Sequence, residues 1–168
     1  ILVLAPGSTL ITQKDIVRQY IEENNPFIIS VNFVGNDFCA DLAFFTSRRR
    51  YDQYRDKLIS NILVISSNLT NDAVNPFAIV DYYNLACDES GLYDNSMIML
   101  LRLLVFIGIR DITVAGFDGF DRSKPNYAYE KHYKDNKHTE DENNTISNYI
   151  ERFSSKMKIN FLTKTKYK

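Results

Sequence analysis

Short apolar runs rich in Val, Ile and Phe alternate along this chain with stretches of helical period. Ile1–Ala5 is continuously apolar and predicts a buried strand. From Thr12 to Asn25, Ile16, Tyr20 and Ile21 recur at helical spacing, and Asn24-Asn25-Pro26 supplies a stop, which predicts a first helix. Phe27–Phe33, Asp41–Phe45 and Asn61–Ser66 read as the next three strands, and Ser47 can cap a short basic helix running through Lys57. Asn68–Asn75 is a polar loop, and Phe77–Tyr83 reads as a further strand suited to an edge. Asn95 or Ser96 then caps a helix from Met97 to about Ile107. It is apolar on nearly every face and so expected to be buried, with Gly108 as its stop. Asp111–Ala115 is a strand. Asp121–Asn144 is long and polar with no apolar periodicity, the character of a lid. Thr145–Lys156 predicts a last amphipathic helix and Lys158–Leu162 a last strand, and the basic end Lys164–Lys168 is expected to fray.

Strands that are apolar throughout, alternating with helices, predict a parallel sheet covered on both faces. With right-handed crossovers, the expectation for residues 1–168 is a single α/β domain, three-layered and Rossmann-like, with a mostly parallel twisted sheet. The 168 residues suffice for one core, and 45% hydrophobic with 24% charged residues is globular composition. Lys+Arg is 20 against Asp+Glu 21, a net charge of −1, which speaks against a nucleic-acid partner. The apolar stretch Met97–Ile109 is too short to span a bilayer and contains Arg102, so no membrane span is predicted. Cys39 and Cys87 make neither a disulfide framework nor a zinc pattern; no metal is predicted, and the composition suits the cytoplasm. The chain opens at Ile1 inside an apolar run too short for a signal peptide, so it is expected to be a piece cut from a longer one.

In parallel α/β sheets, ligands lie at the carboxyl ends of the strands, where helix N-termini point. That rule selects Pro6-Gly7-Ser8-Thr9 after the first strand, Asn32 after the second, Ser66-Ser67 after the fourth and Gly116-Phe117-Asp118-Gly119-Phe120 after Ala115, and Asp94-Asn95-Ser96 at the buried helix start can join them. Gly7, Ser8 and Thr9 form a strand-to-helix turn whose amides and hydroxyls suit an anion, or equally a tight turn with a Ser or Thr cap. Asn95 and Ser96 are first an N-cap, and the same geometry cradles phosphate. Asp118, between Gly116 and Gly119, can accept from a sugar hydroxyl, hold a metal, or bond local backbone amides. Arg48, Arg49 and Arg50 fan around their helix, so they cannot all face one ligand; a solvated face is expected, with one of them able to reach a phosphate. Tyr127, Tyr129, His132, Tyr133 and His138 lie in the long polar segment, where the histidines are the groups that titrate near neutral pH.

The block from Asn95-Ser96 through the buried helix to Ala115-Gly116-Phe117-Asp118, followed by Tyr127-Ala-Tyr-Glu130, resembles the central block of bacterial CMP-sialic-acid sialyltransferases that build lipooligosaccharide. Pro6-Gly7-Ser8-Thr9-Leu10 resembles that family's nucleotide turn, and Asn32 in Ser-Val-Asn-Phe matches its nucleotide-contacting Asn. The resemblance implies a nucleotide or sugar-nucleotide ligand held by Gly7, Ser8, Thr9, Asn32, Asn95, Ser96, Gly116 and Asp118, with Tyr127 on phosphate and His138 as general base. Across the whole chain, Phe45-Thr-Ser-Arg-Arg-Arg-Tyr51, Asp94-Asn-Ser-Met and Ala115-Gly-Phe-Asp-Gly-Phe are similar to C-terminal domains of 4-hydroxy-2-oxovalerate aldolase-like (HMG-CoA-lyase-like) proteins encoded with surface-polysaccharide genes. That likeness implies an N-terminal aldolase-like barrel in the same chain and no cofactor in this domain. Two alternatives stay open. One is a non-catalytic docking or dimerisation module, homodimer included, motivated by Pro6, Tyr93 and Phe120 standing where the sialyltransferases have other residues. The other is a diphosphokinase-like enzyme with Asp118 and Asp94 on magnesium.

Overall fold

Strands and helices alternate in the computed structural model, which describes residues 1–58, 62–71, 75–87, 92, 94–129 and 139–167. The order is β1 (Leu2–Leu4), α1 (Thr9–Thr12), α2 (Lys14–Asn24), β2 (Ile28–Val31), β3 (Leu42–Phe45) and α3 (Arg48–Tyr54). There follow β4 (Ile62–Ser66), β5 (Ala78–Val80), α4 (Tyr82–Leu85), α5 (Ser96–Phe106), β6 (Asp111–Ala115), α6 (Thr139–Phe153) and β7 (Lys158–Phe161). The chain divides into two compact units, Ile1–Pro26 with Ile109–Lys168, and Phe27–Gly108.

In the first unit the strand order is β1-β6-β7, all parallel. Leu2, Val3 and Leu4 are all fully buried, as an unalternating apolar strand covered on both faces must be. Tyr20 on α2 reaches Thr113 of β6, hydroxyl to hydroxyl at 2.9 Å. α2 ends where Asn25 takes a left-handed conformation (φ +40°) and returns its amide to Ile21, before Pro26. α6 buries Ile146, Tyr149, Ile150 and Phe153, a stripe of helical period.

In the second unit the order is β5-β4-β3-β2, again parallel, with β5 paired only to β4 there, so the edge expectation holds. Phe44, Phe45, Ile65 and the first half of α5 (Met97–Leu101) form its core. Asn95 caps α5 through bonds from the Met97 and Ile98 amides, and Gly108 (φ +93°) follows its end. All pairings between the described strands are parallel, so the chain is an α/β protein consistent with a Rossmann-like fold.

Several boundaries differ from those expected. The first helix starts earlier and is broken at Gln13 (φ −123°), whose side chain accepts from the Lys164 amide. Phe77–Tyr83 is not one strand: Asp81 accepts from the Asn84 amide at 2.8 Å and turns the chain into α4. α5 is not buried throughout; Phe106 is 87% exposed and Ile107 60%. The last helix begins at Thr139 rather than Thr145, since Thr139 and Asn143 are buried although polar, and Glu140, Asp141 and Glu142 suit its N-terminal dipole. The tail does not fray over Lys164–Tyr167. Lys166 donates its amide to Asp118 O at 2.9 Å, and Tyr167 is buried with its ring 4.6 Å from that of Phe117.

Candidate functional site

Parallel register decides which residues meet at the carboxyl ends of the strands. In the first unit Leu4 faces Ala115 and Val114 faces Phe161, so Ala5, Gly116 and Thr163 come next at one level. The Gly7 amide donates to Gly116 O at 2.8 Å, and the Gly116 amide to Thr163 Oγ1 at 2.9 Å. Tyr127 pairs with Gly7 in an antiparallel bridge, and the Ala128 amide donates to Pro6 O at 2.8 Å. There is no room for side chains here. A Cβ at Gly116 (φ +75°) would lie 2.1 Å from Ala5 O, and one at Gly7 2.2 Å from Gly116 O and 2.6 Å from Asp118 Cγ.

Asp118 closes this turn. Its Oδ2 accepts from the Thr9 amide at 2.8 Å and from Ser8 Oγ at 3.1 Å, and its Oδ1 accepts from the Thr9 hydroxyl. Thr9 Oγ1 also lies 3.0 Å from Thr163 Oγ1. Burial pushes the Asp118 carboxyl above its ordinary pKa, against the opposing pull of the Thr9 and Ser8 hydrogen bonds and the Lys124 charge. Gly7, Ser8, Thr9, Gly116, Asp118 and Tyr127 are therefore brought together, with both carboxylate oxygens engaged by the turn's own donors.

Behind Asp118 the chain is pinned by Asn143 of α6. Its Oδ1 accepts from the Phe120 amide (2.8 Å) and the Tyr167 hydroxyl (3.1 Å), and its Nδ2 donates to Phe120 O (2.8 Å). Burial, with the nearby charges of Glu142 and Asp118, raises the Tyr167 phenol far above its ordinary pKa, so it stays a neutral donor. Asp121, held by the Ser123 hydroxyl and amide, has its pKa lowered.

The second unit has its own cluster. Val31 faces Phe44 and Phe45 faces Ile65, so Asn32, Thr46 and Ser66 follow at the strand ends. Asn32 adopts the left-handed region (φ +57°), which Asn tolerates better than most residues. Its Oδ1 accepts from the Thr46 amide at 2.9 Å and the Ser47 amide at 3.3 Å, and its Nδ2 donates to Ser96 Oγ. The Thr46 hydroxyl bonds Ser96 Oγ at 2.7 Å. Asn68 donates to Thr46 O at 3.0 Å and accepts from the Ser66 hydroxyl, and Arg48 donates to Asn68 O at 3.0 Å. Asn95 and Ser96 thus divide the work: Asn95 caps α5, and Ser96 joins the cluster. Among the described residues the group brings together hydroxyls, amides and one guanidinium, which suit hydrogen bonding to a ligand.

Of the remaining candidates, Tyr93, His132, Tyr133 and His138 lie outside the described residues. Arg50 is buried beside Gln53 Oε1 (3.3 Å), so the three arginines do not form one solvated face. Asp94 and Asp118 belong to different units. Among the described residues no group of three or more His, Cys, Asp and Glu is placed to hold a metal, and no helix is long and apolar enough to cross a membrane. Thr46, Thr163 and Asn68 were missed from sequence. Thr46 and Thr163 lie just beyond strand ends, so the rule that selected Asn32, applied to β3 and β7, would have found both.

No protein-family model, curated protein or solved structure matches this chain. The class defined by the fold is therefore an all-parallel α/β protein consistent with a Rossmann-like arrangement.

Proposed function

We propose that this chain is a nucleotide- or sugar-nucleotide-binding domain of sialyltransferase-like fold, appended to an aldolase-like barrel and serving surface-polysaccharide precursor synthesis. The ligand is held at the Asn32–Thr46–Ser96 rim, with Arg48 beside it for phosphate. One observation carries this reading. Neutral hydrogen-bonding side chains collect at the carboxyl ends of three adjacent parallel strands, next to the N-terminus of the 11-residue helix α5, where open α/β sheets take their ligands. If the domain also catalyses transfer, the candidate general base is His138, outside the described residues: it would take the proton of an acceptor hydroxyl that attacks the sugar while the nucleotide phosphate leaves. Titration with cytidine nucleotides should give saturable binding, weakened up to about tenfold by Ser96→Ala, which deletes one hydrogen-bonding group. No binding at millimolar nucleotide, or a Ser96→Ala chain indistinguishable from wild type, removes the proposal.

A second reading, a non-catalytic module that docks or dimerises the barrel, is favoured by one feature. Ser8, Thr9 and the Thr9 amide are engaged by Asp118 rather than turned to a ligand. Nucleotide binding with loss of affinity in Ser96→Ala counts against it. The diphosphokinase-like alternative gains nothing from an Asp118 whose oxygens are both engaged.

A further inference from the structure

The β2-to-β3 connection, residues 32–41, contains no helix, although a parallel crossover usually carries one. Beneath it lies a cavity of about 570 Å³, within the size range of small-molecule sites. Phe27, Val34, Phe38 and Ile62 supply apolar walls, and Ser30 and Cys39 also line it. Phe38 is buried, whereas Phe27 and Ile62 are 43% and 39% exposed.

Ser30 is the unusual member. It is 2% exposed in the middle of β2, facing Ala43 across the ladder, and its Oγ has no hydrogen-bond partner among the described residues. A buried hydroxyl without a partner is destabilising, and Ala would fill a strand position at no such cost. An acceptor atom brought in by a ligand would complete it.

We propose that this cavity binds a small aromatic molecule carrying one hydrogen-bond acceptor. The ring packs against Val34, Phe38 and Ile62, and the acceptor receives a hydrogen bond from the Ser30 hydroxyl. The site is separate from the Asn32–Thr46–Ser96 cluster and does not depend on nucleotide binding.

Two isosteric probes test it: acetophenone, and α-methylstyrene, which has the same outline with the carbonyl oxygen replaced by a methylene group. The chain has two cysteines, Cys39 exposed and Cys87 buried, so modification of Cys39 by N-ethylmaleimide reports occupancy. Acetophenone should protect Cys39 saturably and bind about fivefold more tightly than α-methylstyrene, the worth of one hydrogen bond. Ser30→Ala should equalise the two probes while still binding both. Should Ser30→Ala not fold, Val34→Trp, which fills the cavity from its connecting segment, should abolish protection by either probe. The proposal is overturned if neither probe protects Cys39, if wild type binds both equally, if Ser30→Ala keeps the preference, or if Val34→Trp is still protected.

Discussion

Gly7→Ala perturbs the tightest backbone approach in the first unit. The added Cβ would stand 2.2 Å from Gly116 O, where ordinary contact begins at 3.4 Å, and 2.6 Å from Asp118 Cγ. The nearer obstacle is backbone, so the ends of β1 and β6 must part by more than an ångström. That lengthens the 2.8 Å bond from the Gly7 amide to Gly116 O beyond hydrogen-bonding range, at about 1 kcal/mol. It also displaces the Asp118 carboxylate from the Thr9 amide, a bond to a charged group that contributes about 2 kcal/mol. The expected loss is about 3 kcal/mol, a large share of the roughly 5–15 kcal/mol that holds a domain folded. Gly108→Ala is the control. Gly108, unlike Gly7, has a positive φ (+93°), but nothing lies within 4 Å of its Cβ position, so only backbone strain of about 1 kcal/mol is expected. The chain has no Trp, so urea unfolding is followed by circular dichroism and tyrosine fluorescence. In thermal melts the Gly7 variant should fall by about 6–12 °C and the control by a third of that. Equal losses in the two variants would refute the steric argument.

Three further outcomes are expected. Burial raises the Asp118 pKa, so the folded state favours the protonated carboxyl; that contribution is full below the unfolded carboxyl's range and lost as pH rises through the folded pKa. Wild type should therefore lose stability relative to Asp118→Asn as pH rises above the ordinary carboxylate range, and a gap moving the other way shows that the hydrogen bonds outweigh desolvation. Asn143→Leu removes three hydrogen bonds from a buried position and should cost about 2–4 kcal/mol in urea unfolding, with a loss below 1 kcal/mol contradicting the pinning role. Tyr167→Phe should cost about 1 kcal/mol at every pH from 5 to 9, since the phenol does not ionise there; a loss that grows with pH contradicts its neutrality.

The strand pattern was legible because burial on both faces removes polar positions. Ile1–Ala5 and Asn61–Ser66 need no alternation to be recognised, and β1 and β4 lie inside them. The start of α6 was not legible. Thr139 and Asn143 are buried although polar, Asn143 through hydrogen bonds to the distant Phe120, and such residues carry no hydrophobic signal. Lys164–Tyr167 misled for a related reason. A basic end suggests fraying, but the anchors are a backbone amide on Asp118 O and an aromatic contact with Phe117, both set by where β6 ends. The rim rule selected Asn32, Gly7 and Gly116 from strand ends, and Ser96 from the start of the buried helix. It did not reveal that Asp118 and the Ser8-Thr9 turn satisfy each other, because the pairing joins residues about 110 positions apart.

That pairing bears on which cluster can take a charged ligand. The donors that the sequence offers to a phosphate at the first turn are the Thr9 amide and the Ser8 and Thr9 hydroxyls, and each already faces a carboxylate. A phosphate brought to the same three donors would meet Asp118 at close range in a partly buried place, where like charges repel strongly. Binding there requires Asp118 to be protonated or to swing away, and Gly7 and Gly116 leave its surroundings little slack. Among the described residues of the second cluster the hydrogen bonds run between neutral groups. Its Asn32, Thr46 and Ser96 groups are neutral, they can exchange partners by rotating a hydroxyl, and Arg48 adds a cation at the edge. For an anionic nucleotide the electrostatic argument therefore favours the Asn32 rim over the Gly7 turn.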